Sequence, residues 1–229
     1  MPAKPVLIGD RLYSRKKDAL AAVQAVRNRY KPGERVSDPE DEAFLHDLLD
    51  KHYDADQKRG AGIDHFQVRR TTKGSVGFHI IRTDGSDTDF SFMVCLDGEP
   101  SQRQNLLATM RDAVKWQVIA VKNKAFEEAG EERLVTCALT GDLVAEDEVH
   151  VDHFDPDFID LATHYVSAQG GWDAFPLLNG LDNTVGSVFA DDTQREEWES
   201  YHQEHANLRV ISIQANLSLR RRGVRRKTV

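Results

Sequence analysis

The stretch Glu148-Val149-His150-Val151-Asp152-His153-Phe154-Asp155-Pro156, read with Asn207-Leu208-Arg209-Val210-Ile211-Ser212-Ile213-Gln214-Ala215-Asn216, decides how the second half of this chain is built. From Val149 to His153 the residues alternate as in a half-buried strand, with Val149 and Val151 on one side and His150 and Asp152 on the other. His153 is expected where the strand turns out. Asp155-Pro156 should stop the strand and open a helix from about Asp157 to Ser167, with Phe158, Leu161 and Tyr165 on its apolar side. Adjacent Asp and His at a strand end divide labour well. The carboxylate suits a hard divalent cation, and the imidazole suits removal of a proton from water. The dipeptide alone says little, because Asp64-His65 is another one with nothing around it to support a site.

The downstream run supplies the missing context. Asp152-His153 with a proline close behind, then Asn207-Leu208 with Ile211 and Asn216, resembles the HNH, or ββα-metal, nucleases. Arg220 lies one residue beyond the usual basic position of that pattern. The resemblance implies that Asp152 and Asn216 are metal ligands, that His153 is the general base, and that Asn207 orients the His153 imidazole. Two oxygen ligands without cysteine favour Mg²⁺ or Mn²⁺ over Zn²⁺. Many members of that family also carry a zinc knuckle of two C-x-x-C pairs. Here Cys137-Ala138-Leu139-Thr140 keeps only the first cysteine, while Ser212 and Ala215 replace the later pair, so no structural zinc is expected. The gap from His153 to Asn207 is long for the family and must hold further elements, among them a helix from about Gln194 with Thr193-x-x-Glu196 as a capping box. Trp198, Tyr201, His202 and His205 lie along it. His202 and His205 are read as packing residues, with support of the site as the alternative.

Upstream, Gln102 to Ala129 contains neither proline nor glycine, and Leu106, Leu107, Met110, Val114, Val118, Val121 and Phe126 form an apolar stripe. One continuous helix linking two domains is expected there. Before it, the sequence reads as a small mixed unit. A helix spans about Arg15 to Tyr30 with Ser14 as cap, and a second opens at Asp38-Pro39 with Phe44, Leu45, Leu48 and Leu49. Strands follow over Ile63–Val68, Gly77–Arg82 and Phe90–Cys95, the last two joined through an Asp84-Gly85 turn.

Residues from about Leu12 to Leu96 resemble the DCL-like domain of the plant "defective chloroplasts and leaves" proteins. The residues that carry this are Ser14-Arg15-Lys16-Lys17, Tyr30-Lys31-Pro32-Gly33, Phe44-Leu45 with Leu48-Leu49, Lys51-His52, Lys58 with Gly60 and Gly62-Ile63, Arg82-Thr83-Asp84-Gly85, Asp89-Phe90-Ser91-Phe92 and Cys95. That family is associated with plastid ribosomal RNA maturation, which implies an accessory module linked to nucleic acid rather than a reaction. Lys16, Lys17, Arg69, Arg70 and Lys73 are then either target-recognition residues or solvated surface. Cys95, among Phe90, Phe92 and Val94, reads as core.

Charge placement fits this division. The net charge is −8, yet the segment from Arg209 onward holds Arg209, Arg220, Arg221, Arg222, Arg225, Arg226 and Lys227 and no acid. An acidic body with a basic end can hold a polyanion locally. These arginines, with His150, are the candidate nucleic-acid contacts, although a half-exposed strand histidine and a solvated tail remain open as readings. No apolar run approaches the length of a bilayer span, and the opening Met1-Pro2-Ala3-Lys4 stretch lacks a secretory signal. With two unpaired-looking cysteines, a cytoplasmic protein with reduced thiols is expected.

The expectation is therefore an α+β chain of 229 residues: a DCL-like domain over 1–100, a linking helix over 101–130 and an HNH domain with a basic tail over 131–229. It would be a metal-dependent DNA endonuclease of phage or bacterial restriction, homing or nicking type. RNA processing and a non-catalytic nucleic-acid-binding module are the alternatives. One centre per chain makes double-strand cleavage a matter of two nicks or of a homodimer, with the dimer favoured.

Overall fold

The computed structural model describes residues 4–70, 74–179 and 186–222. Helices and small antiparallel sheets make it an α+β chain. Among the described residues it divides between Ser101 and Gln102 into two compact units. No helix among them is long and apolar enough to cross a membrane.

The first unit opens with a hairpin that the sequence pattern does not announce, β1 (Val6–Ile8) and β2 (Arg11–Tyr13). Its turn depends on Gly9 at φ 54°, where an added Cβ would lie 2.0 Å from Asp47 Oδ2. Helix α1 (Lys16–Asn28) buries Ala19, Val23 and Val26. Its N-cap is Arg15 rather than the expected Ser14, without a side-chain hydrogen bond. Helix α2 (Pro39–Leu49) starts as its sequence dictates: Asp38 accepts from the Glu40 and Asp41 amides, and proline takes the first turn, where its missing N–H costs nothing. A short helix α3 (Ala55–Arg59) leads into the sheet β3 (Ile63–Arg70), β4 (Val76–Arg82) and β5 (Asp87–Phe90). One face of the sheet supplies Phe66, Val68, Phe78, Ile80 and Phe90 to a core shared with α1 and α2.

One strand assignment is corrected here. Phe90–Cys95 is not the third strand; β5 begins directly after the Gly85 turn and ends at Phe90, and Ser91 then caps α4 (Phe92–Asp97) by accepting from the Val94 amide. The apolar run contained two different periods joined at a serine, and alternation alone does not separate them.

The second unit begins with what the sequence suggests is one linking helix. It is two helices, α5 (Gln102–Ala113) and α6 (Lys115–Glu128), both belonging to the second unit. The break falls at Val114, at φ −94° and ψ 6°, which is itself buried. The bend lets one stripe serve two cores. Leu106, Leu107, Met110 and Val114 pack with Phe158, Tyr165, Phe175 and Trp198, whereas Phe126 packs with Val135, Cys137, Val144, Val149 and Ile211. A straight rod would carry its far end past the second group.

Between α6 and the chain's end lie the hairpin β6 (Leu134–Thr136) and β7 (Leu143–Ala145), strand β8 (Val149–His153), helix α7 (Phe158–Ala168), the pair β9 (Leu177–Asn179) and β10 (Ser187–Phe189), helix α8 (Asp192–His205), strand β11 (Leu208–Ser212) and helix α9 (Ile213–Arg222). Helix α8 is capped by Asp191, which accepts from the Thr193 amide at 2.8 Å, so the cap lies before the Thr193 box read from sequence. Trp198 on α8 is fully buried and donates its indole N–H to the Met110 carbonyl at 2.9 Å, tying α8 to α5.

Candidate functional site

Strands β8 and β11 pair antiparallel, with Leu208 opposite His153, Arg209 opposite Asp152, Val210 opposite Val151, Ile211 opposite His150 and Ser212 opposite Val149. Directly opposed residues share a face, and successive residues alternate. His150, Asp152, Arg209 and Ile211 therefore occupy one face, and Val149, Val151, His153, Leu208 and Val210 the other. Helix α9 follows β11 without a loop. Ser212 turns the chain into it by accepting from the Ala215 amide at 3.1 Å, and α9 packs on both strands. The segment between β8 and β11 holds α7, β9, β10 and α8, and the two strands pair across it.

On the first face Asp152 is buried and its Oδ2 accepts from Arg209 Nη2 at 3.1 Å and from Nε at 3.3 Å. The Arg209 guanidinium also lies 4.6 Å from the centre of the Phe154 ring, where its charge meets the negative face of the ring. Asn216, buried on α9, donates from Nδ2 to Nδ1 of the exposed His150 at 2.8 Å. A carboxylate and an amide oxygen are hard donors of the kind Mg²⁺ and Mn²⁺ take. Among the described residues there is no group of three or more His, Cys, Asp or Glu side chains able to hold a metal ion.

On the other face His153 is the last residue of β8, as expected; it pairs with Leu208, and its imidazole is directed toward α8. Its Nε2 lies 2.8 Å from Nε2 of His202. His202 is completely buried against Trp198, and its Nδ1 lies 2.7 Å from Gln117 Oε1. Gln117 Nε2 in turn donates to the Glu199 carbonyl at 2.8 Å. Burial, reinforced by the neighbouring His153, pushes the His202 pKa down to about 4. His202 thus packs, as its spacing with Trp198 implies, and also touches the site. Gln117 left no signal beyond a polar residue interrupting the stripe of α6.

The role expected of Asn207 is corrected. Its Nδ2 donates to the Asp155 backbone carbonyl at 2.6 Å instead of reaching the imidazole, and its own carbonyl accepts from the Phe154 amide at 3.0 Å. It clamps the turn that leaves β8. Nearby, a cleft of about 500 Å³ is lined by Trp116, Gln117, Phe154, His202, Asn207 and Leu208, among others.

Cys137 is buried at the turn between β6 and β7. Burial alone pushes its thiol up, but hydrogen bonds from the Thr140 hydroxyl and from the amides of Ser212, Leu139 and Thr140 outweigh that and bring it to about 6. The Ser212 amide lies 3.3 Å from Sγ, so the turn closes on β11 through the sulfur itself.

The basic residues fare unevenly. Arg209 serves Asp152. Arg220, Arg221 and Arg222 fall in the last turn of α9, but their side chains lie outside the described residues, as do Arg225 and Arg226 altogether. In the first unit Lys16 pairs with Asp97, Arg69 donates to Asp87 at 2.8 Å, Arg70 to the Gly74 carbonyl at 3.4 Å, and Lys17 is exposed. Lys73 lies outside the described residues.

Comparison with known families bears on the first unit. Residues 24–96 match the family model described as "Protein of unknown function (DUF3223)". The solution NMR structure of an uncharacterized protein from Rhodospirillum rubrum is similar at 42% identity, over 41% of this chain and 88% of that one, with a TM-score of 0.38. No curated protein matches the chain. The family match lies within the first unit and stops short of β8, β11 and α9.

Proposed function

We propose that the second unit is a metal-dependent DNA endonuclease of the HNH type. The observation that carries this reading is the β8–β11 pair closed by α9, with buried Asp152 and buried Asn216 bordering the same face and His153 at the end of β8. Asp152 and Asn216 would hold Mg²⁺ or Mn²⁺, with water and phosphate oxygens filling the rest of its shell. When bound, the ion would polarise the scissile phosphate and stabilise the departing 3′ oxygen. His153 would take a proton from water as the water oxygen attacks phosphorus and the P–O3′ bond breaks. Asn207 would hold the turn after His153 through Asp155. Arg209, which neutralises Asp152 in the protein alone, would turn to a phosphate once a dication takes over the carboxylate. The arginines at the end of α9, which starts beside the site, would follow the backbone of the nucleic acid. The first unit would contribute target recognition. One centre per chain cuts one strand, so double-strand cleavage would use a homodimer.

The test is incubation of supercoiled DNA with wild type, His153→Ala and Asn216→Ala, in Mg²⁺, Mn²⁺ or chelator. Relaxation that needs metal and is lost in both variants is the expected result. DNA that is bound and shifted but never cut by wild type would overturn the enzyme in favour of a binding module. Cleavage of labelled ribosomal RNA alone would move the substrate from DNA to RNA.

A further inference from the structure

Neutral imidazole exists as two tautomers, and a general base works only if the right nitrogen holds the lone pair. The chain of contacts behind His153 fixes which one that is. Starting at its far end, the Glu199 carbonyl can only accept, so the group facing it at 2.8 Å is the NH₂ of Gln117. A reversed amide would set two acceptors against each other. The Gln117 oxygen therefore faces His202 Nδ1 at 2.7 Å, and because an amide oxygen only accepts, that nitrogen carries the hydrogen. His202 is fully buried between Trp198 and His153, where a positive charge is costly, and its pKa of about 4 keeps it neutral. A neutral ring protonated on Nδ1 has its lone pair on Nε2. That Nε2 lies 2.8 Å from His153 Nε2, which must then donate.

We propose that Gln117 and His202 are positioning residues that hold His153 as its Nε2–H tautomer, so that Nδ1 is the nitrogen that takes the proton from water. The catalytic meaning rests on the nuclease reading above; the tautomer does not. The arrangement also sets the ring plane, because the Phe158 ring meets His153 edge-on at 5.2 Å while His202 holds Nε2. Three helices thus cooperate on one ring: α6 through Gln117, α8 through His202, and α7 through Phe158.

The experiment is a long-range ¹H–¹⁵N correlation spectrum of the full chain labelled with ¹⁵N-histidine, at about pH 7.5 without metal or nucleic acid. His153 would be assigned by sequential triple-resonance connection. The expected pattern is a protonated Nε2 and an unprotonated Nδ1. A protonated Nδ1, or nitrogens averaged between the two forms, would overturn the proposal without any variant having to fold. In His202→Phe, which keeps a ring against Trp198, the pattern should collapse to averaging. The kcat for DNA nicking should fall about 10- to 100-fold with KM unchanged, as for other residues that orient a reacting group from behind. An unaltered His153 pattern in that variant would remove His202 from the role. If wild type cuts no DNA under any metal, the nuclease reading fails, and the tautomer is still decided by the wild-type spectrum.

Discussion

The molecule contains two Asp-His pairs on antiparallel strands, and they have different fates. In β3, Asp64 and His65 satisfy each other: His65 Nδ1 lies 2.6 Å from Asp64 Oδ2, and the carboxylate is more than half exposed. In β8, Asp152 and His153 project to opposite faces of their sheet. Asp152 turns to Arg209 on one face of its sheet, and His153 turns to His202 on the other. The first pair is closed and wet; the second is split, with Asp152 buried and His153 half-buried among helices. The same dipeptide is closed on itself in one strand and, in the other, has its members drawn to separate tertiary neighbours.

The sharpest way to break this comparison is activity. His153→Ala should lower metal-dependent nicking by at least about 100-fold, the scale of losing a general base, while His65→Ala leaves it unchanged. Equal losses at the two positions, read from the rate of supercoil relaxation, would erase the distinction. Next in size is the ion pair of the split site. Arg209→Ala removes two hydrogen bonds to a buried carboxylate and should cost about 2 to 3 kcal/mol in urea unfolding. If Asp152 is a metal ligand, the same variant should gain more than wild type in thermal midpoint on adding Mn²⁺, because the guanidinium no longer competes.

Acid sharpens the contrast further. His202 has a folded-state pKa near 4 against an ordinary 6.5, so the unfolded chain takes up the proton first as pH falls. The stability that depends on neutral His202 is complete above the ordinary value and is lost as pH drops through the window from 6.5 to about 4. Comparing wild type with His202→Phe by denaturant titration across that window should reveal a differential slope of up to about 1.4 kcal/mol per pH unit. Parallel curves would mean that His202 does not titrate as its burial requires. The smallest effect belongs to the exposed pair. His65 holds Asp64 below its usual carboxylate range, yet Asp64→Asn, at an exposed pair, should leave the urea unfolding midpoint unchanged within error.

Much of this was legible beforehand, and the misses have physical causes. Residues 102–129 lack proline and glycine, which licenses a helix but not a straight one; Val114 bends because two separate cores need the same stripe. Phe90–Cys95 misled because alternation at Phe90 and Phe92 spans a strand end and a helix start. Asn207 was recognised by its place and mistaken in its bond, since an amide on a turn finds the nearest carbonyl, here that of Asp155. Gln117 could not be found at all, because its partners lie 85 and 82 residues away in sequence.

By itself the sequence determined the local matters: the strand Val149–His153, the start of α2 at Asp38-Pro39, and the helix that follows Asp155-Pro156. These follow from backbone period, turn residues and side-chain type, all of which act over a few positions. Only the tertiary structure decided which face each site residue meets, that Asp152 rests on Arg209, and that a glutamine and a buried histidine stand behind His153. Hydrogen-bond direction and desolvation depend on what lies within about 3 Å, and in a folded chain those neighbours come from distant sequence.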